Sequence, residues 1–231
     1  MSPPVTPQRV PGRVVPPAAA VQEVATWPER PARPAASNGP SPRPLGWLLT
    51  VGGLIGLAAA FVLLVEKIRL LQDPAYVPSC SLNPVLSCGS VMVTPQAEAL
   101  GFPNPMIGLI SFAAVATVGV GVLSGAAFPR WFWLGLQAGT TAGAAFVHWL
   151  IFQSLYRIEA LCPYCMVVWA VTIPIFWYTT LHTLRQHTGA RGRALGRRLA
   201  GGHAVVLTAW FLVVLALITV QFWTYWSTLL T

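Results

Sequence analysis

Five stretches of mostly apolar residues constrain this chain more than any other feature of its sequence. They cover residues 45–65, 105–128, 131–152, 162–181 and 204–222. A helix needs about 20 apolar residues, each rising about 1.5 Å, to cross the hydrocarbon core of a bilayer. Because a spanning segment must also bond its backbone groups internally, each stretch is expected to be helical. The sequence therefore predicts an all-α integral membrane protein with five transmembrane helices.

Composition agrees with a membrane protein and argues against a nucleic-acid-binding one. Hydrophobic residues make up 55% of the chain and charged residues 9%, whereas a soluble domain carries about 25% charged residues. The formal net charge is +8, but the basic residues are few and lie beside apolar segments. We interpret them as a topology signal and expect no nucleic-acid partner.

The basic residues fall mostly on one side of the five predicted spans. Lys67, Arg69 and Arg157 lie on one side. The other eleven of the fourteen lie on the opposite side: Arg9, Arg13, Arg30, Arg33, Arg43, Arg130, Arg185, Arg191, Arg193, Arg197 and Arg198. Loops rich in Lys and Arg stay in the cytoplasm. The N-terminus is therefore predicted to be cytoplasmic and the C-terminus extracytoplasmic.

This topology divides the chain into three parts. Residues 1–44 are rich in Pro, Ala, Val and Arg and contain no apolar run long enough to span, so we expect a disordered cytoplasmic tail. The membrane domain is predicted over residues 45–223. Residues 224–231 would form a short extracytoplasmic end.

The four cysteines form two close pairs, and both pairs lie on the predicted extracytoplasmic side. Cys80 and Cys88 are in the loop after the first span, and Cys162 and Cys165 open the fourth. Disulfides persist outside the cytoplasm. Two thiols three residues apart share one face of a helix, and its N-terminus favours thiolate. The pattern predicts a redox pair fixed by the helix and a shuttle pair on a mobile loop, joined by thiol–disulfide exchange.

Three other interpretations of the cysteines stay open at this point. They could be two inert structural disulfides, although a Cys-x-x-Cys bridge closes too small a loop to stabilise much. They could be the four ligands of a zinc ion, although the seven residues between Cys80 and Cys88 exceed the usual spacing. The Cys-x-x-Cys could also be two small buried hydrophobes.

A redox protein also needs an electron acceptor, and the sequence favours a lipid quinone. No glycine-rich dinucleotide fingerprint is present, and His148 stands alone in the third span, without the second His expected of a haem site. A quinone needs only an apolar cleft and one or two hydrogen-bond donors. Asn104, between two prolines before the second span, is one candidate donor. From the residues alone, a helix N-cap is its more common role.

These features in combination resemble the vitamin K epoxide reductase family, and specifically its bacterial homologues. The resemblance covers about residues 45–185. It rests on Cys80-x7-Cys88, on Thr94 six residues later, on Phe102-Pro103-Asn104-Pro105-x-x-Gly108 before the second span, and on Cys162-x-x-Cys165. A lone Cys-x-x-Cys is a weak signal, whereas four such features in this order are specific.

The resemblance implies a fold and a cofactor. The expected fold is a four-helix transmembrane bundle around a quinone of the menaquinone or ubiquinone type, capped by the extracytoplasmic loop, with a fifth transmembrane helix. The expected location is the inner (plasma) membrane of a bacterial cell. The expected partner is an extracytoplasmic thioredoxin-fold protein of the DsbA type. No thioredoxin-like domain follows the fifth span here, so we expect a separate polypeptide.

The resemblance also assigns roles to individual residues. Cys80 would exchange with the partner, Cys88 would pass electrons to Cys162, and Cys165 would lie next to the quinone. Asn104 matches the position that donates a hydrogen bond to a quinone carbonyl. Thr94 matches a Ser/Thr position that supports the relay.

One position departs from the animal enzymes of the family. They have a tyrosine as a second quinone donor four residues after the motif, whereas this chain has Trp169, whose indole could donate instead or only pack. Plain quinone reduction is therefore favoured over reduction of vitamin K epoxide. The enzyme alternative is a DsbB-type oxidase, which usually carries its Cys-x-x-Cys before the loop pair. The non-enzyme alternative is a membrane scaffold with structural disulfides.

Overall fold

The computed structural model describes residues 43–230, with side chains as far as Thr228. Apart from its last two residues, the predicted N-terminal tail lies outside the described residues. The described part is helical, and its helices in chain order are α1 (Arg43–Gln72), α2 (Cys88–Met92), α3 (Asn104–Leu123), α4 (Arg130–Gln153), α5 (Pro163–His187), α6 (Ala190–Gly201), α7 (His203–Gln221) and α8 (Trp223–Leu230). A 3₁₀ turn (Pro95–Glu98) follows α2, and a π-helical turn (Ser154–Ile158) follows α4.

Four of these helices, α1, α3, α5 and α7, are long and apolar enough to cross a membrane. The protein is therefore a multi-pass membrane protein. The predicted span over residues 131–152 forms α4, whose 24 residues would extend about 36 Å. Helix α4 is more polar than the other four, because it carries Gln137, Thr140 and His148.

The polar residues of α4 find partners on neighbouring helices. Gln137 donates through Nε2 to Thr180 Oγ1 of α5 at 2.9 Å. Trp210 of α7 donates through Nε1 to His148 Nε2 at 2.9 Å, so the other ring nitrogen of His148 carries the hydrogen and donates to the carbonyl of Ala144 at 2.8 Å. Such bonds help hold helices together in a membrane, because in lipid the hydrophobic effect does not favour helix association.

Helices α1 and α3 pack closely because glycines line their contact. A Cβ on Gly53 of α1 would lie 2.7 Å from the backbone nitrogen of Ala116, and a Cβ on Gly119 of α3 would overlap the backbone nitrogen of Thr50. Small residues are the usual means by which membrane helices approach each other. The close approach fixes the start of α3 relative to the end of α1, and the loop between them closes over that end.

This loop, residues 73–103, is the cap loop, and main-chain bonds attach it to the start of α5. Leu86 and Leu161 form a parallel bridge, in which Ser87 N donates to Leu161 O at 2.8 Å and Leu161 N donates to Val85 O at 2.7 Å. Glu159 has a left-handed backbone with φ of 55°, which an L-residue adopts at some cost. Together with the π-helical turn, it turns the chain so that residues 160–162 run beside the cap loop.

Candidate redox site

The structure brings the two predicted cysteine pairs together. Cys80 and Cys88 form a disulfide, and Cys162 and Cys165 are free. The Sγ atoms of Cys88 and Cys162 lie 3.1 Å apart, which is the separation of a sulfur poised to attack another. Cys88 is fully buried, and only 1% of the surface of Cys162 is exposed. The two sulfurs therefore meet out of contact with water.

Local structure explains why these two sulfurs meet. Cys88 is the first residue of α2, whose N-terminus is capped by Ser87: its Oγ accepts from Ser90 N at 3.2 Å. Cys162 lies one residue before α5, and Pro163 occupies the first helical position, where no backbone donor is needed. The Leu86–Leu161 bridge holds the residues before both cysteines side by side. Two helix starts are thus fixed face to face.

The electrostatics of Cys162 favour its reactive form. Hydrogen bonding from the Cys165 thiol, helped by the backbone amides of Tyr164 and Cys165 and opposed by burial, lowers the pKa of the Cys162 thiol. These amides belong to the first turn of α5, where backbone N–H groups have no partner within the helix. Thiolate is the nucleophile in exchange, so Cys162 is the more easily activated of the two free thiols.

An apolar cavity of about 750 Å³ lies below the cysteines, between α1, α3, α4 and α5. Cys162 and Cys165 line it, together with Asn104, Trp169 and otherwise mostly apolar side chains. Trp169 is only 3% exposed, and its Nε1 has no hydrogen-bond partner among the described residues. A buried donor without a partner is unfavourable, and this indole N–H is free to bond an acceptor in the cavity.

Asn104 lines the same cavity but is not an N-cap. It is the first residue of α3, and its side chain reaches back to the cap loop. Its Oδ1 accepts from Ala99 N at 3.1 Å, and its Nδ2 donates to Gln96 O at 2.7 Å. These bonds use one of the two amide hydrogens. Asn104 therefore ties the cap loop to α3 and retains a hydrogen for a ligand in the cavity.

Thr94 lies at the end of α2 rather than at the cysteines. Its Oγ1 donates to Val91 O at 2.8 Å, and no hydrogen bond joins it to a cysteine within residues 43–230. It stabilises the C-terminal end of the short helix that Cys88 begins. Its assignment to the relay stays a prediction.

The loop cysteines are less accessible than the sequence suggested. Cys80 is only 5% exposed, although a mobile shuttle pair was expected. The reason is a set of bonds from the end of α1: Glu66 accepts hydrogen bonds from the cap loop, and Lys67 donates one and pairs with Glu98. In the sequence, Lys67 counts only as a loop charge. The feature that could indicate its role in holding the cap loop is the adjacent Glu66 and Lys67, directly after an apolar span.

A zinc site is incompatible with this redox state. The sulfurs of Cys80, Cys88 and Cys162 lie within 4.8 Å of one another, but two of them are joined in the disulfide. Metal ligation needs thiolates. The close sulfur cluster therefore represents an exchange centre in this state.

A disulfide in contact with the buried first thiol of a Cys-x-x-Cys pair, above an apolar cavity in a multi-pass helical protein, defines a membrane thiol–disulfide protein. The model of the vitamin K epoxide reductase family matches residues 47–180, more than half of the chain, and the protein belongs to this family. Proteins of this family are quinone-linked thiol oxidoreductases. The matched region contains all four cysteines, Asn104 and Trp169. A search of curated proteins found no significant match.

Proposed function

We propose that this protein makes disulfides de novo by oxidising an extracytoplasmic thioredoxin-fold protein and passing the electrons to a membrane quinone. The partner is a separate polypeptide of the DsbA type. The observation that carries the proposal is the 3.1 Å contact between Cys88 and Cys162, directly above a cavity that Cys165 also lines.

The first exchange takes two electrons from the partner. A partner thiolate attacks Cys80 Sγ, the Cys80–Cys88 bond breaks, and Cys88 leaves as a thiolate. The second thiol of the partner then attacks the partner's sulfur in this mixed disulfide, and Cys80 is released as a thiolate. The partner leaves with a disulfide, and the protein holds two thiols in the cap loop.

The second exchange moves these electrons inward. Cys88 thiolate attacks Cys162 of a Cys162–Cys165 disulfide, and Cys165 leaves as a thiolate. Cys80 then attacks Cys88 and displaces Cys162. The product is a Cys80–Cys88 disulfide with two free thiols, the arrangement of the structure.

A quinone of the menaquinone or ubiquinone type, when bound, would supply an acceptor for two electrons and two protons, so that Cys162 and Cys165 could form their disulfide again. The cavity fits such a group, since it is apolar and contains the unpartnered indole N–H of Trp169. Trp169 and Asn104 would donate hydrogen bonds to its carbonyl oxygens. Cys165, on the first turn of α5, would be the thiol nearest the ring.

The proposal includes a topology. Helix α4 is also a transmembrane helix, the third of five, because its polar side chains are bonded to α5 and α7. The N-terminal tail (residues 1–44) is cytoplasmic, and the cap loop and residues 224–231 are extracytoplasmic, in a bacterial plasma membrane. The eleven basic residues on one side of the five spans support this orientation.

The decisive experiment couples the two half-reactions in detergent. Reduced DsbA-type protein is mixed with the purified protein and a short-chain quinone, and thiol loss is compared with quinol formation. We expect two thiols lost per quinone reduced, and no turnover in Cys162→Ser. Ser124→Ala, an exposed hydroxyl far from the cavity, is the control. Thiol oxidation that requires a flavin, or that continues in Cys162→Ser, would refute the proposal.

The relay order has its own test. In Cys165→Ser, the Cys162 thiol can attack Cys88, and only the released Cys80 thiol can reverse this step, so a fraction of the molecules is expected to hold a Cys88–Cys162 linkage. Peptide mapping by mass spectrometry without reduction detects it. A structural-disulfide scaffold would keep Cys80–Cys88 in all molecules.

A further inference from the structure

The outer end of α1 carries an adjacent pair of buried charges, Glu66 and Lys67. The Lys67 side chain is 8% exposed, and its Nζ lies 2.8 Å from both Met92 O and Glu98 Oε1. Glu66 Oε1 accepts from Ser79 Oγ at 2.7 Å, and Oε2 accepts from Tyr76 OH at 2.8 Å. The two residues therefore hold different parts of the cap loop.

The division follows the two loop cysteines. Glu66 contacts the Cys80 arm, which we define as residues 73–86, and Lys67 contacts the Cys88 arm, residues 87–98. The carbonyl that Lys67 binds belongs to the last residue of α2, and Cys88 is the first residue of that helix. Since α2 has only five residues, fixing one end fixes the other.

The two attachments differ in kind. Lys67 brings a buried ammonium group to a carbonyl and a carboxylate of the Cys88 arm, and a buried charge is strongly unfavourable unless its partners stay in place. The Glu66 carboxylate, which is equally buried, accepts hydrogen bonds from two hydroxyl groups of the Cys80 arm. The Cys80 arm is also the one that has to move, because a partner cannot reach a cysteine that is 5% exposed.

We infer that Lys67 is a positioning residue for electron transfer from Cys88 to Cys162. Its ammonium group holds α2 over the cavity, so that Cys88 stays against Cys162 while the Cys80 arm opens to the partner. The inference deepens the proposed function and rests on it for the direction of electron flow. The geometry of the Cys88 arm is independent of any quinone.

The test uses an exchange that needs no external oxidant. In Cys165→Ser, the Cys162 thiol and the Cys80–Cys88 disulfide interconvert with a Cys80 thiol and a Cys88–Cys162 disulfide. One S–S bond forms as another breaks, and one proton moves from Cys162 to Cys80. The ratio of the two disulfides measures how well Cys88 is held against Cys162.

Lys67→Met keeps the length of the side chain and removes its charge. In the Cys165→Ser background we expect the fraction of Cys88–Cys162 disulfide relative to Cys80–Cys88 to fall about tenfold, the effect of losing a hydrogen bond from a charged group. Lys67→Arg is expected to restore it to within about threefold. Arg157→Met removes an exposed cation on the same predicted side of the membrane and is expected to leave the ratio unchanged. A ratio within about twofold of the parent in Lys67→Met would overturn the inference.

A kinetic readout separates positioning from loss of folding. With Cys165 intact, Lys67→Met is expected to lower kcat for partner oxidation about tenfold with little change in the KM for the partner, because the Cys80 arm is untouched. Glu98→Gln, which keeps Met92 as an acceptor, is expected to give a smaller effect in the same direction. An equal rise in KM without a fall in kcat would contradict a role at the internal step. Failure of wild-type protein to reduce quinone would refute the proposed function but leave the disulfide ratio as a test.

Discussion

The sharpest test of the cavity is Trp169→Phe, which removes one N–H group and keeps an aromatic ring in place. Trp169 lies four residues after Cys165, so it is one helical turn below the thiol on the same face of α5. Its indole is buried against the cavity and has no acceptor among the described residues. If a quinone carbonyl accepts from it, the substitution weakens quinone binding and leaves the thiol chemistry alone.

The expected rise in the quinone KM follows from the loss of one hydrogen bond. A neutral hydrogen bond contributes about 0.5–1.5 kcal/mol net, and 1.4 kcal/mol is a factor of ten. The KM for quinone should therefore rise about 2- to 13-fold.

The effect on stability without quinone combines two opposing contributions. Removing an unsatisfied buried donor relieves about 1–3 kcal/mol, whereas the smaller ring loses about 1–2 kcal/mol of packing. The free energy of unfolding should change by no more than about 2 kcal/mol in either direction.

The assay is a titration with a short-chain quinone at saturating dithiol, with thermal unfolding measured with and without quinone. Trp177→Phe is a matched control, because Trp177 lies on the same helix and its Nε1 also has no partner in the described part of the chain. Trp177 does not line the cavity. An unchanged quinone KM in Trp169→Phe, or an equal rise in Trp177→Phe, would refute the assignment of the indole as a quinone donor.

Three further substitutions test the cavity, the helix packing and the turn before Cys162. Asn104→Ala is expected to raise the quinone KM about tenfold by removing a donor and loosening the cap loop, whereas an unchanged quinone titration would leave only a structural role. Gly119→Val is expected to destabilise the protein by about 1–3 kcal/mol or more, because its side chain meets the α1 backbone; Gly139→Val, in open space, is the control in thermal unfolding. Glu159→Gly is expected to keep full activity, since glycine adopts positive φ freely, whereas Glu159→Val should slow the Cys88–Cys162 exchange measured by quenched-flow alkylation.

Hydropathy located the helices, but helix α1 extends beyond the span that it predicted. The first span was predicted to stop at residue 65, because Glu66 and Lys67 follow. Helix α1 continues to Gln72, since the cap loop supplies bonding partners for both charges. Window hydropathy counts a charge as unfavourable at a membrane boundary. Window hydropathy has no information about bonding partners 10 to 31 residues away in the sequence.

The basic segment between the predicted fourth and fifth spans is also helical. Residues 182–203 contain the end of α5 and all of α6. Arg, Ala and Leu are strong helix formers, and Gly196 lets α6 approach Leu184 and Arg185 of α5. The charge density of the segment obscured its helix propensity.

The cysteine pairs could be found from the sequence, but their contact could not. Cys80 and Cys88 are close in the chain, and so are Cys162 and Cys165. By contrast, 74 residues separate Cys88 from Cys162. Their meeting depends on the Leu86–Leu161 bridge and on the left-handed Glu159, and neither has a local sequence pattern. The resemblance to a family supplied the relay order that spacing alone left open.

Burial of the loop disulfide bears on the order of the two proposed exchanges. With the cap loop closed, Cys88 is in contact with Cys162 and Cys80 is hidden, so the proposed internal transfer is possible and the proposed partner exchange is not. With the Cys80 arm open, the partner would reach Cys80. Because a single sulfur of Cys88 takes part in both proposed exchanges, the two cannot occur at once. In the proposed reaction, the bonds from Glu66 and Lys67 to the cap loop therefore control access to Cys80 as well as stabilising the fold.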